Sequence, residues 1–334
     1  MGVSSSDNQL DVAAANPEGV ANSSRRADKT SGAAHRGTAS ACGNLGLWAE
    51  FNNLTSASRI AADRIESDIA RECVEVYDPA KAKIEAMLKR PLAGCQALEI
   101  GPGQWLAQAR YFGRWAKVTG IDLDVLPSGL DIPGYWRMYR SNGVRRVLKT
   151  LARKAMGFDR RIVAAYDRAF GKPLHEPRVM RMDATATTFK DNTFDVTYSF
   201  NVLEHIPQPE AVFKEAGRIL RSGGVLYHDI HLYTSDTGCH DPRVVVMQRG
   251  SLPFWPHLHA HSRKQLAYGG YLNKLRLAEW HQKIASELPG AEVIYRHDAY
   301  VAEPLALARS RGELGEYSDD ELTVRNIIVA WRKP

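Results

Sequence analysis

From Pro91 to the end of the chain, short apolar runs alternate with stretches of helical periodicity, and no other feature restricts the fold as tightly. A short run rich in Val, Ile, Leu and Phe reads as a strand buried on both faces. A strand–helix–strand repeat then satisfies its backbone only in a mainly parallel sheet covered by helices on both sides. The runs predict strands over residues 97–100, 117–121, 179–182, 194–200, 225–230, 292–296 and 323–331. Helices are expected between them, notably from Pro209 to Leu220, ahead of Arg221-Ser222-Gly223-Gly224, and from Arg263 to Leu288, ahead of Pro289-Gly290. The expected fold class is α/β: a doubly wound, seven-stranded, mostly parallel sheet with helical insertions.

Residues 1–45, rich in Ala, Ser, Gly and Asn, lack the periodic apolar surface that would repay the entropy of ordering, and are expected to be a disordered tail. Asp7, Asp11, Glu18 and Asp28 argue against an organellar leader. Residues 46–91 are expected to form N-terminal helices, broken near Pro79, with Ile60, Ile65, Ile69, Val74, Ile84, Met87 and Leu88 as candidate buried positions. Residues 92–334 form the main domain, with insertions over 127–177 and 231–262. Hydrophobic residues at 44% and charged residues at 25% suit a packed core. With no apolar run of about 18 residues and no signal peptide pattern, a cytoplasmic chain is expected. Cys42, Cys73, Cys95 and Cys239 show no C-x-x-C pairing and read as reduced thiols. The net charge of +6 is concentrated: Gly134 to Lys172 holds eleven Lys or Arg against two Asp, which leaves the rest of the chain acidic.

The chemistry is written at strand ends. The first predicted strand runs into Leu98-Glu99-Ile100-Gly101-Pro102-Gly103, the second ends in Gly120-Ile121-Asp122, and the third in Met182-Asp183-Ala184. Glycines let backbone approach a ligand closely, and ligands of open α/β sheets sit at the carboxyl ends of strands. Asp122 lies 23 residues after Glu99, the distance at which an acid hydrogen-bonds ribose hydroxyls in such folds. Asp183 is placed to accept from an adenine amino group or to orient a loop that does. Either aspartate could instead cap the turn that follows it.

With the run Phe194-Asp195-Val196-Thr197-Tyr198-Ser199-Phe200-Asn201-Val202-Leu203-Glu204-His205-Ile206 and the later Leu220-Arg221-Ser222-Gly223-Gly224, these motifs resemble the class I S-adenosylmethionine-dependent methyltransferases, within them the type 11 bacterial group. The resemblance covers about residues 92–232 and implies a Rossmann-like fold with S-adenosyl-L-methionine as cofactor. It implies that Glu99, Gly101 and Gly103 flank the methionine portion and Asp122 binds the ribose. Asp183 and Ala184 would border the adenine, and Asn201 to His205 would line the methyl-transfer face, with Asn201 counted among the cofactor contacts. Trp105 stands where the family carries a third glycine, so the methionine pocket departs from the family's shape. A nicotinamide dehydrogenase would need glycine at Leu106.

Methyl transfer to a hydroxyl needs alignment and a base. His205 is the first candidate, followed by His228 and His231 in His228-Asp229-Ile230-His231. That stretch, with His240-Asp241 beyond it, has metal-ligand types, but strand alternation points His228 and His231 to opposite faces. The expectation is a substrate-facing polar rim and no metal. His257, His259 and His261 are read as loop residues at the acceptor pocket or on the surface. In the 127–177 insertion, Val144, Leu148, Leu151 and Ala155 form an apolar helical stripe beside the basic residues Arg145, Arg146, Lys149 and Arg153. Such a segment suits an acidic or lipid-linked acceptor or peripheral membrane contact. The chain beyond the fifth strand is similar to methyltransferases of bacterial surface-glycan biosynthesis, which makes O-methylation of a sugar or other small hydroxyl acceptor the favoured reaction. The alternatives are an RNA methyltransferase, disfavoured because no RNP-like motif is present, and a non-catalytic scaffold.

Overall fold

The seven apolar runs become β1 (Gln96–Ile100), β2 (Lys117–Asp122), β3 (Arg178–Arg181), β4 (Phe194–Phe200), β5 (Leu220–His231), β6 (Glu292–His297) and β7 (Val324–Arg332). They pair into one sheet of order β3-β2-β1-β4-β5-β7-β6. β1 through β5 are parallel, and β7 runs antiparallel between β5 and β6. This computed structural model describes residues 68–125 and 131–334; the tail expected over 1–45 and the positions Ile60 and Ile65 lie outside them.

Alternation along the strands sends side chains to two cores. Ala97, Val118, Val196, Tyr198, Phe200, Val225, Tyr227 and Ile328 face one of them. There they meet α1 (Asp78–Leu88), α2 (Ala107–Phe112) and α4 (Phe158–Phe170) through Ile84, Tyr111, Phe112, Ile162 and Phe170. Leu98, Ile121, Leu226, Ile230, Ile327 and Val329 face the other core, against Phe213 and Ile219 of α5 (Pro209–Ile219) and Trp280 and Ile284 of α8 (Leu277–Glu287). Phe213, fully buried, anchors α5 on its face of the sheet; a side chain of that kind stabilises by about 1.5–3 kcal/mol relative to exposure. The first core is aromatic: the rings of Phe112 and Tyr198 lie 4.7 Å apart, and those of Tyr77 and Tyr111 5.2 Å.

Local expectations are corrected at three places. The stretch 263–288 is not one helix: after two short turns, α6 (Pro242–Val245) and α7 (Ala260–Arg263), comes irregular chain, and α8 begins only at Leu277. The Gly269-Gly270 pair and Lys274, whose φ is 57°, break it. Val74 is exposed, not buried, and the break expected near Pro79 does not occur: the helix passes through a wider π-helical turn over Cys73–Tyr77 and into α1 with helical dihedrals at Tyr77 and Asp78. The basic insertion folds as α3 (Ile132–Ala155), with Gly143 at φ 77° inside it, followed by α4. The apolar stripe of α3 faces outward, leaving Val144, Leu148 and Leu151 about half exposed. Among the described residues no helix is long and apolar enough to cross a membrane.

Candidate active site

Strand order in the sheet reverses between the parallel β1 and β4: β2 and β3 lie on one side, and β5 on the other. The crevice above such a switch point is where open α/β sheets take ligands. Beyond β1 the chain turns at Gly101, φ 67°, whose amide donates to the Ile121 carbonyl at 2.8 Å. A Cβ at Gly101 would stand 2.6 Å from Val202 Cγ2, so only glycine lets the turns after β1 and β4 close on each other. Gly103, also at φ 67°, borders open space. Trp105 takes the place of a third glycine, and its Nε1–H donates to Asp159 of α4 at 3.1 Å.

The three acids are differently placed. Glu99 is buried, accepts a single hydrogen bond from the Tyr198 hydroxyl at 3.2 Å, and is pushed up to about 8, first by burial and then by the nearby Asp122. Asp122 accepts from the Asp124 amide at 2.8 Å, and burial raises it too. Met182 donates to the Asp122 carbonyl at 3.1 Å, which sets Asp183 just beyond Asp122 across the β2–β3 pair. Asp183 is exposed, and its Oδ1 accepts from both the Thr185 amide (2.8 Å) and hydroxyl (2.7 Å); it shapes the turn that buries Ala184. Beside Asp122, Leu123, Asp124 and Val125 border a cavity of about 230 Å³ shared with Gly134, Arg137 and Met138 of α3.

Past β4 the backbone enters a left-handed Asn201, φ 54°. Its amide donates to the Asp229 carbonyl (2.8 Å), and its Oδ1 accepts from Asn326 Nδ2 (2.7 Å). Asp229, buried, also accepts from Asn326 (2.7 Å) and pairs with Arg296 (2.8 Å). The following tight turn, Leu203–His205, is latched from outside the sheet by Asn273. Its amide donates to the Glu204 carbonyl (2.8 Å), and its Nδ2 to the carbonyls of Leu203 and Ile206. His205 Nδ1–H donates to the Tyr271 carbonyl at 3.0 Å, and the Tyr268 hydroxyl lies 3.3 Å from the same nitrogen.

His231, at the end of β5, holds Thr237 Oγ1 at 2.8 Å through Nε2. The His240 ring centre lies 4.8 Å from that of His231 and 4.9 Å from that of His205, so three imidazoles share one spot above β4 and β5. Burial holds all three below the ordinary histidine range, His240 at about 3, so they are neutral at pH 7. Glu204, in the same turn as His205, is buried among them.

His228 does not join this group, which corrects its place among the candidate bases. Strand alternation turns it to the α5 side, where it is fully buried beside Phe213 with Nδ1 2.7 Å from Ser199 Oγ, out of an acceptor's reach. His257 is also buried, donating to the Tyr233 carbonyl at 2.6 Å. His261 is exposed. Sequence reasoning left Tyr268 and Asn273 without a role, and gave Glu204 one only as a member of the 201–205 stretch expected to line the methyl-transfer face. Tyr268 and Asn273 lie in irregular chain with no period to mark them. Glu204 sits inside the quoted motif beside His205, the one signal that could have found it.

Comparison with known proteins adds the following. Residues 143–228 match a family model described as a methyltransferase domain, type 11. That match takes in β3, β4 and most of β5 and begins after the glycine turn. No curated protein matches the chain. Similar solved structures include phosphoethanolamine N-methyltransferase 2 of Haemonchus contortus in complex with S-adenosyl-L-methionine, at 14% identity and TM-score 0.40, covering 77% of this chain and 53% of that one. Geranyl diphosphate C-methyltransferase from Streptomyces coelicolor A3(2) is similar at 13% identity and TM-score 0.39, covering 81% and 84%. An S-adenosylmethionine-dependent methyltransferase from Mesorhizobium loti is similar at 15% identity and TM-score 0.38, covering 72% and 92%. The chain spans about half the length of the Haemonchus enzyme, and likeness this distant says nothing of the acceptor. The family match over residues 143–228 thus falls within a doubly wound sheet whose switch point gathers acids and glycines, the architecture a methyltransferase domain takes.

Proposed function

We propose that the chain is an S-adenosylmethionine-dependent methyltransferase that acts on a hydroxyl of a sugar or another small polar acceptor. The observation that carries this reading is the set of neutral imidazoles and a phenol, His205, His231, His240 and Tyr268, gathered just past the Val202–Gly101 contact. Hydroxyl-rich molecules find donors, acceptors and ring faces in such a wall.

S-adenosyl-L-methionine, when bound, supplies an electrophilic methyl group on a sulfonium. The residues of this chain fit it: Gly101 and Gly103 bring no side chain to the turn after β1, and buried Glu99 is held by the Tyr198 hydroxyl. Glu99, Gly101 and Gly103 would border its methionine portion, and Asp122 its ribose. Asp183 would act by shaping the turn that carries Ala184 to the adenine, and Asn201 would hold the near edge. The displacement needs little beyond alignment, but a hydroxyl must lose its proton. Because His205 Nδ1–H is committed to the Tyr271 carbonyl, Nε2 carries the lone pair that would take that proton. His231 stands on the same wall as a positioning partner.

The outward-facing α3, with Trp136 and Tyr139 exposed on a basic helix next to the cofactor-side cavity, supports an acidic or lipid-linked acceptor met at a membrane surface. The test offers radiolabelled methyl donor together with glycan, lipid, RNA and small-molecule fractions. Label recovered as a methyl ether on a glycan or lipid-linked sugar is the expected result. Label confined to RNA would overturn the acceptor class, and donor binding without transfer to any fraction would favour the scaffold.

A further inference from the structure

Glu204 is 2% exposed, and neither carboxylate oxygen has a hydrogen-bond partner. A carboxyl taken out of water is ordinarily hydrogen bonded, ion-paired or bound to a metal, since its desolvation otherwise goes uncompensated. Burial accordingly holds this carboxyl well above its ordinary range. His240 Nε2 stands 3.9 Å from Glu204 Oε1, and His205 Nε2 stands 4.0 Å from it, both too far for a hydrogen bond. His231 closes the group: one ligand-type atom from each of Glu204, His231 and His240 lies within 4.8 Å of the others.

Polar atoms that converge without touching leave room for a bridging species. Two imidazoles and one carboxylate form the donor set that borderline divalent ions take, whereas magnesium and calcium prefer oxygen ligands throughout. The supports around these side chains are built to hold them. Thr237 engages the second nitrogen position of His231, the kind of contact that fixes a ligating imidazole's tautomer. Asn273 latches the Glu204 turn. His240 is held at φ 53°, a conformation a non-glycine residue keeps only where its surroundings demand it, and the next residue, Asp241, is buried and anchored by Arg243 and the Ala267 amide. Ligands at about 2.1 Å from an ion lie roughly 3–3.5 Å apart, so atoms that stand within 4.8 Å of one another close on an ion with side-chain shifts of up to about half an ångström or slightly more each.

We infer that Glu204, His231 and His240 form a binding site for one divalent ion of the zinc and iron class, between the end of β5 and the turn after β4. The site stands on these three side chains alone; its catalytic use rests on the hydroxyl methylation proposed above. Three protein ligands leave a position open for the acceptor hydroxyl, whose acidity the ion raises. The hydroxyl proton passes to His205 Nε2, and the oxygen forms its bond to the methyl carbon as the carbon–sulfur bond breaks. The electron pair stays on sulfur, and the ion keeps its charge state.

The test measures metal without methyl donor or acceptor. The full chain, free of any histidine tag, is purified without chelator and its metal content determined by mass spectrometry; it is then stripped and titrated with Co²⁺ while visible absorption is followed. About one equivalent of metal and new Co²⁺ bands are expected. Glu204→Gln and His240→Asn, each shown folded by circular dichroism and melting, should lose roughly a hundredfold or more in Co²⁺ affinity, and His205→Gln should keep the bands. Folded wild-type protein that acquires neither metal nor bands would overturn the site, as would Glu204→Gln binding Co²⁺ like the wild type. Calorimetry of S-adenosyl-L-methionine with the metal-free protein tests donor binding separately, so failure of that reading leaves the metal result standing.

Discussion

The proposed donor side and the proposed acceptor side of this site are assembled differently. Glu99, Gly101 and Asp122 lie at or next to strand ends, where parallel register fixes them: Gly120 pairs with Glu99 and Ile121 with Ile100 across β1 and β2. Glu204, His231, His240 and Tyr268 come from four segments, two of them irregular chain after β5, and meet only because Asn273 and Asp241 tie those segments down. The two sides also differ electrically. Burial drives the donor-side carboxyl Glu99 toward its protonated form and the acceptor-side imidazoles toward their neutral form, so each side sheds charge by the opposite proton movement. A sheet therefore fixes where a cofactor binds, while loops are left to decide what is done with it.

That contrast can be broken or sharpened by substitution. The largest effect is expected at His205→Ala, which should lower turnover by roughly 10²–10⁴-fold with donor affinity retained by calorimetry; near-normal turnover would remove His205 as the base. Asp122→Ala should weaken donor binding by roughly tenfold to a hundredfold with little change in melting temperature, and unchanged affinity would refute the ribose assignment. The smallest effect is a pH dependence. The unfolded chain releases the Glu99 proton near 4.5, while the fold keeps it until about 8, so stability falls as pH rises through that window. Glu99→Gln removes that loss. Its melting temperature, measured without donor, should match wild type near pH 4.5 and exceed it by a few degrees at pH 8–9. A difference that stays constant with pH would contradict the buried-carboxyl account.

The sheet was legible because a strand covered on both faces must be apolar along its length: the Phe194–Phe200 strand is found where the run predicts it, and the other six shift by at most a few residues. The first β5 residues escaped notice because Arg221, Ser222 and the glycine pair carry no apolar signal, yet Leu220 still pairs with Phe194. Donor-side positions were legible for the same reason, each being the first polar or glycine residue after an apolar run. The acceptor side was only partly so. Alternation along β5 separates His228 from His231, but nothing in the spacing of 231 and 240 says that the chain between them turns back through Thr237 to bring the rings together. The helix expected from Arg263 failed at Gly269-Gly270, and with it the chance to see that Tyr268, Tyr271 and Asn273 grip the turn after β4.

The bond from Trp105 to Asp159 turns a departure from family pattern into a mechanical linkage. It joins the glycine turn to α4, and α4 is joined in turn to α2 through the Arg110–Asp167 pair. A displacement of α4 would therefore strain its bonds to the turn after β1 and to α2 together. Whatever meets the outer surface of the α3 and α4 hairpin thus meets a surface tied by these two side-chain bonds to the first turn of the sheet and the helix after it.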